Sequence, residues 1–140
     1  KSFGPLLNEE TARIFNHTTN HKYGRLYISK DFNIMLDTGS DISLKDSNYL
    51  SMGTLDQLYF SLRISIANLI AGHEEALPLF LDDTFVQYDE ERVRRVLEFI
   101  CQEALKRQIF IFTCHDRIIH YLREQWEDQD SFQNLIINLH

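Results

Sequence analysis

PLFLDD, residues 78–83, is a continuous apolar run that ends abruptly in two carboxylates, Asp82 and Asp83. A short apolar run without alternation suits a strand buried on both faces, as in a parallel sheet covered by helices. Residues 109–112 read IFIF and end as abruptly in Thr113-Cys114-His115. Between the two runs, residues 90–106 carry apolar side chains at Val93, Val96, Leu97, Ile100, Cys101 and Ala104, the spacing of an amphipathic helix. Strand, helix, strand predicts an α/β fold with a mainly parallel sheet. In such sheets functional groups gather just beyond the C-terminal strand ends, where Asp82, Asp83 and His115 fall.

Upstream, residues 54–71 place Leu55, Leu58, Tyr59, Leu62, Ile66, Leu69 and Ile70 on one stripe. Phe60, Ile64 and Ala67 widen it, so this helix is expected to be buried on most sides. Directly before it stands Leu50-Ser51-Met52-Gly53-Thr54, which sets a hydroxyl and unobstructed backbone N–H groups at a helix N-terminus. Runs 25–29, 33–37 and 41–45, separated by turn signals at Lys30-Asp31 and Thr38-Gly39-Ser40, predict a small antiparallel meander. Residues 8–20 read as a short helix capped by Asn8, with Glu9 and Glu10 in its first turn. Residues 116–126 look helical and 132–139 look like a last strand.

Each candidate group also has an ordinary reading. A carboxylate at a buried strand tip holds Mg²⁺ through water, and its neighbour orients or deprotonates an attacking water. The pair Asp82-Asp83 is equally a strand end capped by two solvated acids. Ser51 and Gly53 suit a phosphate, or an N-cap followed by a permissive glycine. His115 reaches a phosphate, or bonds a loop neighbour. Asp89 suits the dipole of the helix it opens.

The totals bound the choice. The chain's 140 residues fit one domain, and 44% hydrophobic with 25% charged residues is ordinary for a globular protein. The formal charge of −7 argues against a phosphate-backbone binder. The cluster Arg92, Arg94, Arg95 sits beside Asp89, Glu90 and Glu91 and reads as the solvated face of a helix. Cys101 and Cys114 form no framework and read as small buried hydrophobes of a cytoplasmic protein with reduced thiols. No run is long and apolar enough to span a membrane. His17 and His21 stand four apart without a third ligand, and read as solvent-facing; His115 and His120 fare no better.

Taken together, the order Leu50-Ser51-x-Gly53, buried helix, strand ending Asp82-Asp83, Tyr88-Asp89, and strand ending His115 resembles the C-terminal lobe of ABC-class ATPase heads. In that resemblance Ser51, Gly53 and Thr54 match the ATP-binding signature and Asp82 the Walker B aspartate for Mg²⁺. Asp83 then matches the catalytic carboxylate, Asp89 the D-loop and His115 the switch histidine. The stretches LSMGTLDQLYFSLRISIA, LFLDDTF and FTCH, with KYGRL upstream, are similar to the YhaN-like group within the SMC and RecF branch. Thr54 and Met52 depart from the usual signature, and Asp83 stands where glutamate is usual.

The resemblance implies an ATPase in which two heads sandwich ATP, with Asp82 and Asp83 acting in their own head and Ser51 and Gly53 reaching across. It implies work in DNA repair or chromosome maintenance, with a second head, and a nuclease or DNA, as partners of the full protein. No GxxxxGK[ST] occurs in the 140 residues, so the Walker A lobe and a coiled coil are expected outside them, and the chain alone is expected to be inactive. Arg63, polar on the signature helix, reads as part of the coupling or as a core-edge arginine. The alternatives are a non-catalytic ABC-like module that dimerises or docks a partner, and a transporter domain. The long spacer through Ala71-Gly72-His73-Glu74-Glu75 weighs against the latter.

Overall fold

The two apolar runs pair in parallel, as their composition demands. The computed structural model describes residues 3–37, 45–72, 76–126 and 137. In chain order the elements are α1 (Phe3–Thr18), β1 (Leu26–Ile28), β2 (Ile34–Leu36), β3 (Lys45–Asp46), a 3-10 turn (Ser47–Tyr49) and α2 (Met52–Ala71). There follow β4 (Leu79–Asp82), α3 (Glu90–Ala104), β5 (Ile109–Phe112) and α4 (Asp116–Trp126). β4 and β5 are parallel, with Leu79 opposite Ile109 and Asp82 opposite Phe112. β1, β2 and β3 form an antiparallel sheet, with Leu26 opposite Leu36. Apart from Ile137, the run expected at 132–139 lies outside the described residues, as do the turn at 38–40 and residues 41–44 of the third run of the meander.

α2 lies between two apolar clusters, which is why its apolar positions exceed one stripe. Phe60 and Ile64 join Leu81, Phe85, Val93, Val96, Leu97, Phe99, Ile100, Ile118 and Leu122 around α3 and β4. Leu58 and Leu62 join Leu7, Phe15, Leu26, Ile34 and Leu36 around α1 and the small sheet. Burying each such side chain contributes about 1.5–3 kcal/mol. Tyr59 and Ile70, expected on the stripe, are instead exposed. Their places toward the protein are taken by buried polar groups that satisfy themselves. Ser61 and Ser65 donate to the carbonyls of Gln57 and Ser61, both at 2.7 Å, and Gln57 Nε2 donates to Thr18 O at 2.9 Å. That last bond ties the end of α1 to the helix of the LSMGT motif. Gly72, at φ 66, closes α2.

Three expectations need correction. α1 begins at Phe3, so Asn8 is not a cap; its Oδ1 accepts from Ile28 N at 3.0 Å and pins β1 to the helix. His17 is half-buried and meets the Phe99 ring edge at 5.7 Å, because α1 packs on α3 there. Among the described residues, the parallel strands are covered on one face only. Phe80, Phe110 and Phe112 are exposed, and Phe80 stacks on Phe110 at 4.7 Å.

A buried polar knot holds the opposite end. Glu103 and Arg107 side chains, 4% and 5% exposed, stand 3.4 Å apart on α3 and the turn after it. Arg107 also donates to Asn68 of α2 and to Leu77 O at 3.3 Å. Asn68 donates in turn to Glu10 of α1 at 2.9 Å. Three helices and the approach to β4 are thereby fixed together.

Candidate active site

Two groups of side chains assemble around the residues the motifs single out. The first lies at the C-terminal ends of β4 and β5. Asp82 is the last strand residue and is exposed. Asp83 follows with φ 45, a left-handed conformation uncommon for a residue with a Cβ, and its N–H donates to Phe112 O at 3.1 Å. That bond extends the parallel ladder by one more residue, and the left-handed φ at Asp83 then ends the strand. Opposite it, His115 N–H bonds Thr113 Oγ1 at 3.1 Å and His115 O accepts from Ile118 N at 3.0 Å as α4 begins. The two turns bring ligand atoms of Asp83, Cys114 and His115 to within 4.8 Å of one another. Asp83 and His115, distant in sequence, thus come together, whereas Cys114 is exposed beside them and is no buried hydrophobe. Cys101 is half-buried against the core.

The second group lies at the N-termini of α2 and α3. Ser51 caps α2: its Oγ accepts from Thr54 N at 3.4 Å and lies 2.8 Å from Thr54 Oγ1. Asp89 caps α3 and accepts from Arg92 N at 2.9 Å; that hydrogen bond, first among several causes, holds its carboxyl below the usual range. Arg92 joins the two caps. Its guanidinium pairs with Asp89 and reaches Thr54 Oγ1 at 3.2 Å and Ser51 Oγ at 3.5 Å. Gly53 is buried where a Cβ would come within 3.1 Å of Gln87 O and 3.4 Å of the Arg92 side chain, so the glycine admits this close approach. Beside the group runs a cleft of about 490 Å³, lined by Thr54, Gln57, Asp89, Arg92, Lys22 and Tyr23 among others.

The turn from Asp83 to Asp89 connects the groups. Phe85 and Tyr88 anchor it in the core, and burial pushes the Tyr88 phenol up. Arg117, two residues beyond His115, donates to the carbonyls of Phe85 and Tyr88 at 3.2 and 3.1 Å. Arg92 and Arg117 are the residues that motif reading missed. The cluster Arg92, Arg94, Arg95 is not one solvated face. A helical rotation of about 100° per residue turns Arg94 away from Arg92 but keeps Arg95 near its side, and Arg92 and Arg95 both line the cleft. The spacing of three between Asp89 and Arg92 is the signal that separates Arg92. Arg94 is exposed, Arg95 pairs with Glu91, and Arg63 is exposed on α2.

No model of a known protein family matches the chain. The uncharacterized protein YhaN of Bacillus subtilis (strain 168) is 35% identical over 115 residues, 81% of this chain. The folds of SMC heads superpose on 84% of the chain. One, from structural biochemistry of ATP-driven dimerization and DNA-stimulated activation of SMC ATPases, gives a TM-score of 0.66 over 72% of that chain, at 16% identity. The chain is YhaN-like and has the fold of a lobe of SMC heads. An SMC head bound to the C-terminal winged-helix domain of ScpA gives a TM-score of 0.64, at 16% identity over 37% of its length. The Pyrococcus furiosus head with an extended coiled coil gives 0.61, again at 16% identity, over 30%. The lobe spans only 12% of YhaN. Among the described residues, no helix is long and apolar enough to cross a membrane.

Proposed function

We propose that this lobe supplies half of an ATP-hydrolysing site in its own head and the signature face of the site in a second head. The observation that carries the proposal is the meeting of Asp83 and His115 from two separate strand ends, within 4.8 Å. Asp82 fits the role of Mg²⁺ ligand: it is an exposed carboxylate at a strand tip, and a hard ion takes oxygen and keeps its waters. The Cys114 and His115 donors beside it do not suit that ion. When bound, Mg²⁺ and ATP supply the phosphoryl centre and the neutralisation of its charge.

Asp83 then orients the attacking water and accepts its proton, and the His115 ring donates to a phosphate oxygen. In the opposite role, Ser51 Oγ and the α2 N-terminus face the phosphate of the partner head. The Arg92 guanidinium at 3.2–3.5 Å from Thr54 and Ser51 adds positive charge there. The exposed Phe80, Phe110 and Phe112 face supports docking of a further lobe, one that carries the Walker A loop lacking in these 140 residues. Asp89, between the two groups, reports from one site to the other through Arg92. The likeness to DNA-stimulated SMC ATPases supports a role in DNA repair or chromosome maintenance. The charge of −7 disfavours contact with DNA through this lobe itself.

The full protein carrying Asp83→Asn tests the catalytic assignment. Turnover is expected to fall by at least about a hundredfold, the usual worth of a general base, while ATP-dependent association of heads persists. Normal turnover in this variant refutes the role of Asp83.

A further inference from the structure

The strand-end group contains one side chain that the hydrolytic reading leaves unused. Cys114 is exposed, and its Sγ lies within 4.8 Å of ligand atoms of both Asp83 and His115. We infer that Asp83, Cys114 and His115 form a three-ligand site for a soft divalent cation, Zn²⁺ in the first instance, that is distinct from the Mg²⁺ position at Asp82.

The inference rests on donor chemistry and on how the backbone presents it. Sulfur, imidazole nitrogen and carboxylate oxygen together are a set that Zn²⁺ takes readily and Mg²⁺ does not. Zinc bonds of about 2.0–2.3 Å in a tetrahedron place ligand atoms roughly 3.3–3.7 Å apart. The present spread of up to 4.8 Å closes to that value by side-chain rotation of about 1 Å. Asp83 and Cys114 are exposed and have the freedom to turn, while the backbone is held on both sides. Asp83 N–H is bonded to Phe112 O, His115 N–H to Thr113 Oγ1, and His115 O to Ile118 N. Three protein ligands leave a fourth position open to water. Binding releases the Cys114 thiol proton to solvent and leaves thiolate on the metal, with no change of oxidation state.

The consequence deepens the proposed function and rests on it. The cation engages the same Asp83 carboxylate and His115 ring that would handle water and phosphate, so occupancy of this site and hydrolysis exclude each other. Zinc would hold the head inactive until a chelator removes it.

The test uses the intact full-length protein and does not depend on nucleotide. Co²⁺ is added as a spectroscopic substitute and then displaced by Zn²⁺ against a chromophoric chelator. The expected result is a thiolate-to-cobalt charge-transfer band that saturates at one equivalent per lobe. The band should vanish in Cys114→Ser, with zinc affinity falling at least about tenfold in Cys114→Ser and in His115→Asn, and persist in Cys101→Ser. A cobalt complex without the band, or Cys114→Ser binding zinc like the parent, overturns the site. Circular dichroism of each variant confirms that it is folded. In a parent with measurable turnover, zinc at one equivalent is expected to suppress it, and a zinc-loaded head at full turnover refutes the regulatory consequence. Because the cobalt spectrum involves no hydrolysis, failure of the metal site and failure of the ATPase assignment are read separately.

Discussion

Replacing Arg92 by alanine separates what this residue does for the fold from what it does for the site. Its bonds to Thr54 Oγ1 at 3.2 Å and Ser51 Oγ at 3.5 Å are long and involve neutral hydroxyls. Its partner Asp89 is 54% exposed and Arg92 itself 31%, so water screens the ion pair. One net hydrogen bond of about 1 kcal/mol and an exposed pair of about 0.2–1 kcal/mol give a stability loss of about 1–2 kcal/mol. The intact head therefore stays folded. Association is another matter: a charged hydrogen bond to phosphate contributes about 1.5–3 kcal/mol, so nucleotide-dependent pairing of heads weakens about ten- to a hundredfold. Urea unfolding reads the first quantity. Sedimentation with ATP, in the Asp83→Asn background that blocks turnover, reads the second. Arg92→Lys keeps the charge without the fork and should fall between. A stability loss beyond about 4 kcal/mol, or unchanged association, refutes the reasoning.

Arg107→Leu should act in the opposite manner, on the fold. It leaves the 4% exposed Glu103 side chain facing only the exposed end of Lys106 among its former ion-pair partners, at a cost of about 3–5 kcal/mol in urea unfolding. Adding Glu103→Gln should recover part of that loss. The Asp89 carboxyl, followed by NMR, should titrate below the ordinary carboxylate range. Since the folded value is depressed, the cap stabilises above the unfolded pKa of about 3.9 and the contribution is lost as pH falls through the lower folded value. The largest cause is the Arg92 backbone N–H, so a depression should survive Arg92→Ala, reduced by the loss of the guanidinium, and disappear when the α3 N-terminus unfolds.

The sequence reveals those parts of the fold whose physics is local. The runs at 78–81 and 109–112 have no polar alternation, and they pair in parallel within one residue of the expected bounds. Ser51 and Asp89 have the side chains that cap helices, and both do. What stayed hidden depends on partners distant in the chain. Asn8 has the character of a cap, yet Ile28 claims its oxygen. An apolar run announces burial without saying by what, so Phe80 and Phe110 are exposed in this lobe. Cys114 looks like one more apolar residue until the left-handed turn at Asp83 brings a carboxylate beside it. Arg92 meets Ser51 across 41 positions, a separation no periodicity carries.

The central claim is that Asp83 acts in its own head while Ser51 acts in the partner. Mixing two inactive full-length variants, Ser51→Arg and Asp83→Asn, tests it most directly. A mixed pair contains one site made of native Asp83 from one head and native Ser51 from the other, and a second site that carries both lesions. Random pairing of equal amounts gives mixed dimers in about half of the population, each with one working site, so about a quarter of parental turnover should return. If the mixture stays as inactive as its components, although mixed dimers form, Ser51 and Asp83 serve the same head and the account is contradicted.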